Sequence, residues 1–259
     1  MPMETESDVK GNNLTEPVVL FENDDVLVIN KPYGWITHED GVGDDPTVVE
    51  WFCACVPEAK GVGEVGYSPQ GAELDRSGIV HRLDRETSGV LILAKHQEAY
   101  VHLKQAFKDR AVYKEYRAVV YGRMNDRWGT INRPIGRSTK DFRKRSAERG
   151  AKGELREAIT DFERIGMGEY EDEAFSYVKL IPKTGRTHQL RVHLRALDRP
   201  IVMDALYADY KIPKSNNLGL NRLALHAHML ELTLPSGEEE RFIAPVPKEI
   251  EEAVEKIVE

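Results

Sequence analysis

The chain has 259 residues, 41% of them hydrophobic, and a formal charge of −8. That is enough for a sizeable core, while no apolar run approaches the length needed to span a bilayer. The acidic start Met-Pro-Met-Glu-Thr-Glu-Ser-Asp has no apolar stretch and is not a secretory leader, and Cys53 and Cys55, with one residue between them, are poor disulfide partners that read as reduced core thiols of a cytoplasmic protein.

In chain order, residues 1–17 form a polar, acidic tail expected to be disordered, and 18–259 form the folded domain. Residues 18–21 and 26–29 are short β-type runs joined by Glu22-Asn23-Asp24-Asp25, a hairpin signal. Asn30-Lys31-Pro32-Tyr33-Gly34 ends the second run, and Lys31-Pro32 reads as a strand terminator. Residues 47–56 read as a short helix, with Val48, Val49, Phe52 and Val56 at helical spacing and Thr47 as its cap. Residues 57–78, with five glycines and two prolines, read as a loop.

That loop delivers the chain to residues 81–95. The stretch opens with His81, Arg82, Asp84, Arg85, Glu86, Thr87 and Ser88, then passes through Gly89 into the apolar run 90–94. A crowded polar loop abutting a buried strand is where a scaffold presents functional groups, although Thr87, Ser88 and Gly89 also suit a plain surface turn. The flanking Arg82 and Arg85 favour an ionised carboxylate at Asp84. Residues 96–110 follow as an amphipathic helix with Ala99, Leu103, Ala106 and Phe107 on its apolar face.

Residues 112–121 read as a strand, on which Tyr116 is, from the residues alone, an ordinary half-buried tyrosine. Residues 122–160 are polar and poorly periodic. Their basic concentration, from Arg133 to Arg156 and including Arg143, Lys144 and Arg145, is either a solvated loop or a face for a polyanion. The overall acidity does not decide this: residues 1–25 and 237–259 together carry −11, leaving +3 on the stretch between. A hairpin is expected from 162 to 180, turning at Gly166-Met167-Gly168. From His188 a helix capped by Thr187 puts Leu190, Leu194 and Leu197 on one face at about 100° per residue. Arg191 lies at the edge of that face, where its stem packs while its guanidinium turns toward a carboxylate. Arg191, rather than Arg195, is therefore the partner for Asp84. Residues 222–234 alternate as a strand ending at Pro235-Ser236-Gly237, and 248–258 form a short acidic helix. His226 and His228, with His188, His193 and Asp84, could build a zinc hydrolase site, but no HExxH occurs and His188 to His193 is the wrong helical spacing. GxGxxG occurs once, at Gly61-Val62-Gly63-Glu64-Val65-Gly66, but in the glycine-rich loop rather than between a strand and a helix, and no P-loop occurs, so a nucleotide cofactor is not expected.

His81-Arg82-Leu83-Asp84-Arg85-Glu86-Thr87-Ser88-Gly89 resembles the HRLDxxTSG signature of RNA pseudouridine synthases, in the large-subunit rRNA and tRNA branch (the RluA type). Lys114-Glu115-Tyr116-Arg117-Ala118 is similar to that family's KxYxA motif, and residues 185–194 to its GRTHQLRxHL motif. Residues 199–207 resemble HPIVGDxLYG, with Met203 in place of the motif's glycine and Ala208 in place of the glycine that follows. The first exchange predicts a local departure, because a glycine-only backbone conformation would not accept Met. The resemblance runs from about residue 18 to about 237. It implies an α+β pseudouridine synthase fold: a mixed, mostly antiparallel sheet flanked by helices and loops, with a central active-site cleft. It also implies an enzyme needing neither cofactor nor metal, acting on rRNA or tRNA, as a monomer and away from membranes. Only about 17 residues precede the first strand, so an S4-type domain ahead of the catalytic part is not expected. By the same resemblance Asp84 is catalytic, Arg191 pairs with it, and Tyr116 lies against the target base. Arg82 fills the gap left by a flipped nucleotide, His81, Arg85, Thr87, Arg186 and His188 contact substrate, and Arg143, Lys144 and Arg145 grip phosphates. A non-catalytic RNA-binding factor on the same fold, and a metal-dependent hydrolase, are the other classes.

Overall fold

A computed structural model describes residues 15–39, 45–68, 71–147, 150–208 and 217–258. The elements begin with β1 (Val18–Glu22) and β2 (Val26–Lys31), which pair antiparallel as the expected hairpin. Helix α1 (Val48–Cys55) starts at a capping box. Thr47 Oγ1 accepts the Glu50 amide at 3.0 Å, and the Glu50 carboxylate accepts the Thr47 amide at 3.1 Å, an arrangement that stabilises by about 1 kcal/mol. The expected loop after it carries a minimal hairpin, β3 (Gly66–Tyr67) with β4 (Glu73–Leu74). Strand β5 (Ser88–Ala94) is buried at all seven positions, because neighbouring strands flank it and α1 and α2 (Gln97–Lys108) cover it.

Strand β6 (Tyr113–Tyr121) pairs with β12 (Glu173–Pro182), which pairs with β11 (Ile159–Tyr170), which pairs with β7 (Trp128–Asn132). Helix α3 (Gln189–Ala196) follows β12. Strand β13 (Leu225–Thr233) carries β14 (Glu239–Ile243) at its far end, and α4 (Lys248–Glu255) closes the described elements. Among the described residues the main sheet has the order β1-β2-β5-β13-β6-β12-β11-β7, with β14 on β13. Every pairing is antiparallel except β5 with β13. That join fixes one row across the sheet: Ala227 is opposite Gly89 on one side and opposite Tyr116 on the other. The mixed, mostly antiparallel sheet flanked by helices is the α+β architecture the sequence implies.

Several details differ from the sequence reading. The stretch read as an irregular basic loop folds as β8 (Ile135–Ser138), β9 (Arg145–Ala147) and β10 (Ala151–Arg156), a separate small sheet in the order β10-β8-β9. Its strands are short: β8, mostly buried, and β9, half-buried, have only four and three residues, and β10 is largely exposed, so none carries an apolar alternation long enough to read. The β11–β12 hairpin turns at Glu171-Asp172, both at positive φ, and not at Gly166-Met167-Gly168, which lies inside β11. A two-residue turn of this hand matches strand twist. The glycine at 168 serves packing instead, since a Cβ there would lie 1.9 Å from the Ile257 carbonyl oxygen.

Thr187 does not cap α3. The cap position is His188, in the left-handed region at φ 56°, and the turn is held from within by Gln189. The Gln189 side-chain oxygen accepts from Thr184 Oγ1 (2.7 Å) and the Arg186 amide (3.0 Å), and its nitrogen donates to the Ile159 carbonyl and Thr160 Oγ1. Met203, which stands where the family motif has glycine, takes φ 61°, a conformation that costs a non-glycine residue about 1 kcal/mol. Both cysteines are free, but Cys55 is exposed and Cys53 only half-buried, so neither is a core thiol. The tail expected over 1–17 lies mostly outside the described residues, of which the first is 15. Among the described residues no helix is long and apolar enough to cross a membrane.

Candidate active site

The loop between Val80 and β5 is fastened at several points. Leu83 is buried, its amide donates to Thr37 Oγ1 (3.2 Å), and that hydroxyl donates back to the Leu83 carbonyl (2.8 Å). The Thr87 amide closes a turn on the Asp84 carbonyl at 3.0 Å. The Arg85 carbonyl accepts from the Gly34 amide and from the ammonium of Lys31 (3.3 Å), which also reaches the carbonyls of Pro32 and Trp35. Lys31, read as a mere strand terminator, is thus a fully buried peg under the loop. Burial above all, then Arg222, lowers its pKa to about 7, against the opposing charge of Asp84.

This fastening presents Asp84 to a cavity of about 790 Å³, walled by the loop itself, by α2, by Tyr116 and by residues 182–191. The Asp84 side chain is 23% exposed. Arg191, 107 positions further along the sequence, reaches it from α3 at 3.8 Å. The expected pairing is therefore present, but Asp84 is not the closest partner. Arg191 makes a bidentate bond to the buried Asp204 (2.8 and 2.7 Å) and a third contact to Glu86 at 2.9 Å. Burial opposes its charge, yet Asp204, Asp84 and Glu86 together raise its pKa, so the guanidinium stays charged. Three carboxylates thus surround one guanidinium, and of the three only Asp84 lines the cavity.

Tyr116 lines the same cavity, and burial together with the Asp84 charge raises its pKa, so it stays a protonated phenol. Beyond Asp84 lies a short polar chain. The Arg145 amide donates to Tyr207 Oη at 2.9 Å, and the same hydroxyl is hydrogen-bonded to His188 Nδ1, also at 2.9 Å. Burial lowers the His188 pKa and keeps the ring neutral. The left-handed backbone at His188 is local strain at a residue that lines the cavity.

The other sequence candidates divide. Thr87, Arg186 and His188 line the cavity, and so does Arg82, which also reaches His38 Nε2 at 3.0 Å. His81 lines it too, but its ring stacks on Phe107 (4.5 Å between centroids) and accepts the Ile92 amide. Burial, reinforced by Lys114, holds the His81 pKa at about 3, so it is a neutral packing group. Arg85 turns outward to a bidentate bond with Asp45 and does not line the cavity. Neither loop arginine pairs with Asp84; that charge comes from Arg191, because successive loop side chains diverge. Arg143, Lys144 and Arg145 also stand outside the cavity lining, and Arg143 is bound to Asp141 while Arg156 is bound to Glu154. Arg133 spends one donor on the Ala196 carbonyl at the end of α3.

The cavity wall is basic nonetheless, through Lys104, Lys108, Arg110, Lys114, Lys183 and Arg186. Sequence reading missed most of these, having read α2 for its apolar face alone. It also missed Asp204, Glu86 and Tyr207, which had no apparent partner until α3 was placed. Of the histidines considered for zinc, His226 and His228 are neighbours that both bond the Ala244 carbonyl. His193 bonds Thr160 and the Arg133 carbonyl, His226 bonds Ser88, and no three metal-ligating side chains converge among the described residues.

Residues 25–196 match the family model described as RNA pseudouridylate synthase. An Uncharacterized RNA pseudouridine synthase of Synechocystis is 38% identical over 90% of this chain and 66% of its own length. The ribosomal large subunit pseudouridine synthase D of Vibrio vulnificus is 34% identical over 98% of this chain and 75% of its own. The corresponding Borreliella burgdorferi protein is 36% identical, over 89% and 65%. The chain thus spans about two thirds to three quarters of the curated relatives it matches. Among solved structures, human RNA pseudouridylate synthase domain containing 1 superposes with a TM-score of 0.70 at 27% identity, covering 94% of this chain and 86% of that one.

Proposed function

The chain belongs to the RNA pseudouridylate synthase family, and on that premise we propose that it isomerises uridine to pseudouridine in RNA, with Asp84 as the essential group. The observation that carries this reading is the placement of Asp84. It is a partly exposed carboxylate at the wall of a nucleotide-sized cavity, 3.8 Å from a buried guanidinium and beside a half-buried tyrosine. The net change is small in atoms. The bond from C1′ to N1 breaks, the uracil turns, a bond from C1′ to C5 forms, the C5 proton leaves and N1 gains one. No redox equivalent or metal is needed to balance it.

Ribose C1′ and C2′ are shielded in a stacked helix, so the nucleotide must leave the stack to reach Asp84. The carboxylate then acts either as nucleophile at C1′ or as base at C2′. Arg191 holds it in place and charged. Tyr116, kept as a phenol, lies against the uracil and is suited to relaying the C5 proton. Arg82, exposed at the mouth of the cavity, would occupy the space the base vacates. The names of the Vibrio and Borreliella relatives favour a ribosomal large-subunit RNA over a tRNA.

The test uses RNA carrying 5-tritiated uridine. Wild-type protein releases tritium from its substrate, and Asp84→Asn still binds that RNA but releases label at least about a thousandfold more slowly. Full release by the variant would remove Asp84 from the chemistry. Binding without any release by the wild type would instead favour a non-catalytic RNA-binding factor.

A further inference from the structure

Lys114 stands out on the cavity wall. It is half-buried, yet among the described residues its ammonium makes neither a hydrogen bond nor an ion pair and lies over the face of Phe107, 5.8 Å from the ring centroid. The charges that act on it are Arg110 and Lys183, both positive, and together with burial they lower its proton affinity. Each of those two has a carboxylate of its own: Arg110 binds Glu157, and Lys183 binds Asp161. A desolvated cation among like charges, with no anion, is unfavourable unless a ligand supplies one.

Its position says which ligand. On β6 successive side chains alternate faces, so Lys114 and Tyr116 share the side that lines the cavity, roughly 7 Å apart along the strand. Tyr116 is the residue beside Asp84, so an anion on Lys114 sits within one side chain's reach of the reacting nucleotide. We propose that Lys114, with Arg110 and Lys183 beside it, forms a phosphodiester-binding subsite for the nucleotide adjoining the flipped uridine. This rests on the RNA-modifying reading above. It differs from the phosphate contacts expected at Arg143, Lys144 and Arg145, which lie outside the cavity lining.

The experiment measures equilibrium binding of a single-stranded, uridine-containing RNA oligonucleotide across a series of KCl concentrations. It compares protein carrying Asp84→Asn alone with protein that also carries Lys114→Gln or Lys114→Arg. Losing one phosphate contact lowers the slope of log affinity against log salt by about 0.7 for a single strand. Lys114→Gln is expected to show that drop and about tenfold weaker binding at low salt, with Lys114→Arg restoring both. An unchanged slope and affinity in Lys114→Gln overturns the subsite. So does a loss confined to the rate at saturating RNA when Lys114→Gln is made alone, with Asp84 intact, and assayed by tritium release, which would place Lys114 in the chemistry. Should the wild type release no tritium from any RNA, the isomerase reading fails, while the salt slope still decides whether Lys114 holds a phosphate.

Discussion

Arg191 shows how a helical position becomes a functional one. Its place at the edge of the apolar face of α3 was legible from periodicity, and that face does pack inward through Leu190 and Leu194. What periodicity could not supply was the set of carboxylates that meets it. Glu86 and Asp204 are 105 and 13 residues away in sequence, and only the fold makes them neighbours. Asp204 is 1% exposed and takes both guanidinium bonds, so it orients Arg191 while Asp84, at 3.8 Å, remains open to the cavity. Removing one charge from such a buried pair leaves the other uncompensated, at a cost of about 3 kcal/mol. Asp204→Asn is therefore expected to lower the unfolding free energy by that amount in denaturant titrations and to slow tritium release, because the guanidinium is no longer held. Unchanged stability would mean that Glu86 and Asp84 compensate the charge unaided.

The elements were legible where burial imposes a period and illegible where it does not. Strands β2 and β5, helix α2 and the capping box at Thr47 all follow from apolar spacing or local hydrogen-bond chemistry. The small sheet of β8, β9 and β10 is built from strands too short, or in β10 too exposed, to show a period, and offered only a run of charge. The glycines at 166 and 168 misled because a turn and a close backbone approach use the same residue for different reasons. Another connection invisible in sequence ties β5 to β13. Ser88 Oγ donates to His226 Nδ1 at 2.8 Å and accepts from Arg222 at 2.6 Å, while the His226 Nε2 proton goes to the Ala244 carbonyl. His226 is fully buried, and that burial lowers its pKa to about 4. The unfolded chain protonates this ring near 6.5 and the folded chain does not, so its contribution is fully present above about 6.5 and is lost as pH falls from there toward 4. Between pH 7 and pH 5 the loss is roughly 2 kcal/mol. Denaturant titrations at the two values should show wild-type stability falling by about that much more than the stability of His226→Asn, whose baseline is lower but whose pH slope is flatter. Equal slopes would show that the ring is not held neutral.

At the scale of the molecule, the loop bearing the proposed catalytic carboxylate and its partners come from opposite sides of one seam. The loop bearing Asp84 leads into β5, while Tyr116 and Arg191 belong to β6 and α3. The two groups meet only because β13 lies between β5 and β6, parallel to one and antiparallel to the other. Gly89 is where the seam is tightest. It sits at φ 120°, outside the range open to other residues, and a Cβ there would lie 2.1 Å from the Ala227 carbonyl oxygen. The obstacle is backbone, which cannot swing aside as a side chain can. Backbone strain of about 1–3 kcal/mol adds to an overpacking cost of similar size. Gly89→Ala should thus lower stability by about 3 kcal/mol or more, read as a shift in the denaturant midpoint. Any folded fraction should lose tritium release further than the stability change accounts for, because opening the seam moves Asp84 away from Arg191 and Tyr116 together. A variant within 1 kcal/mol of wild type and fully active would show that the row joining Gly89, Ala227 and Tyr116 does not set the geometry of the site.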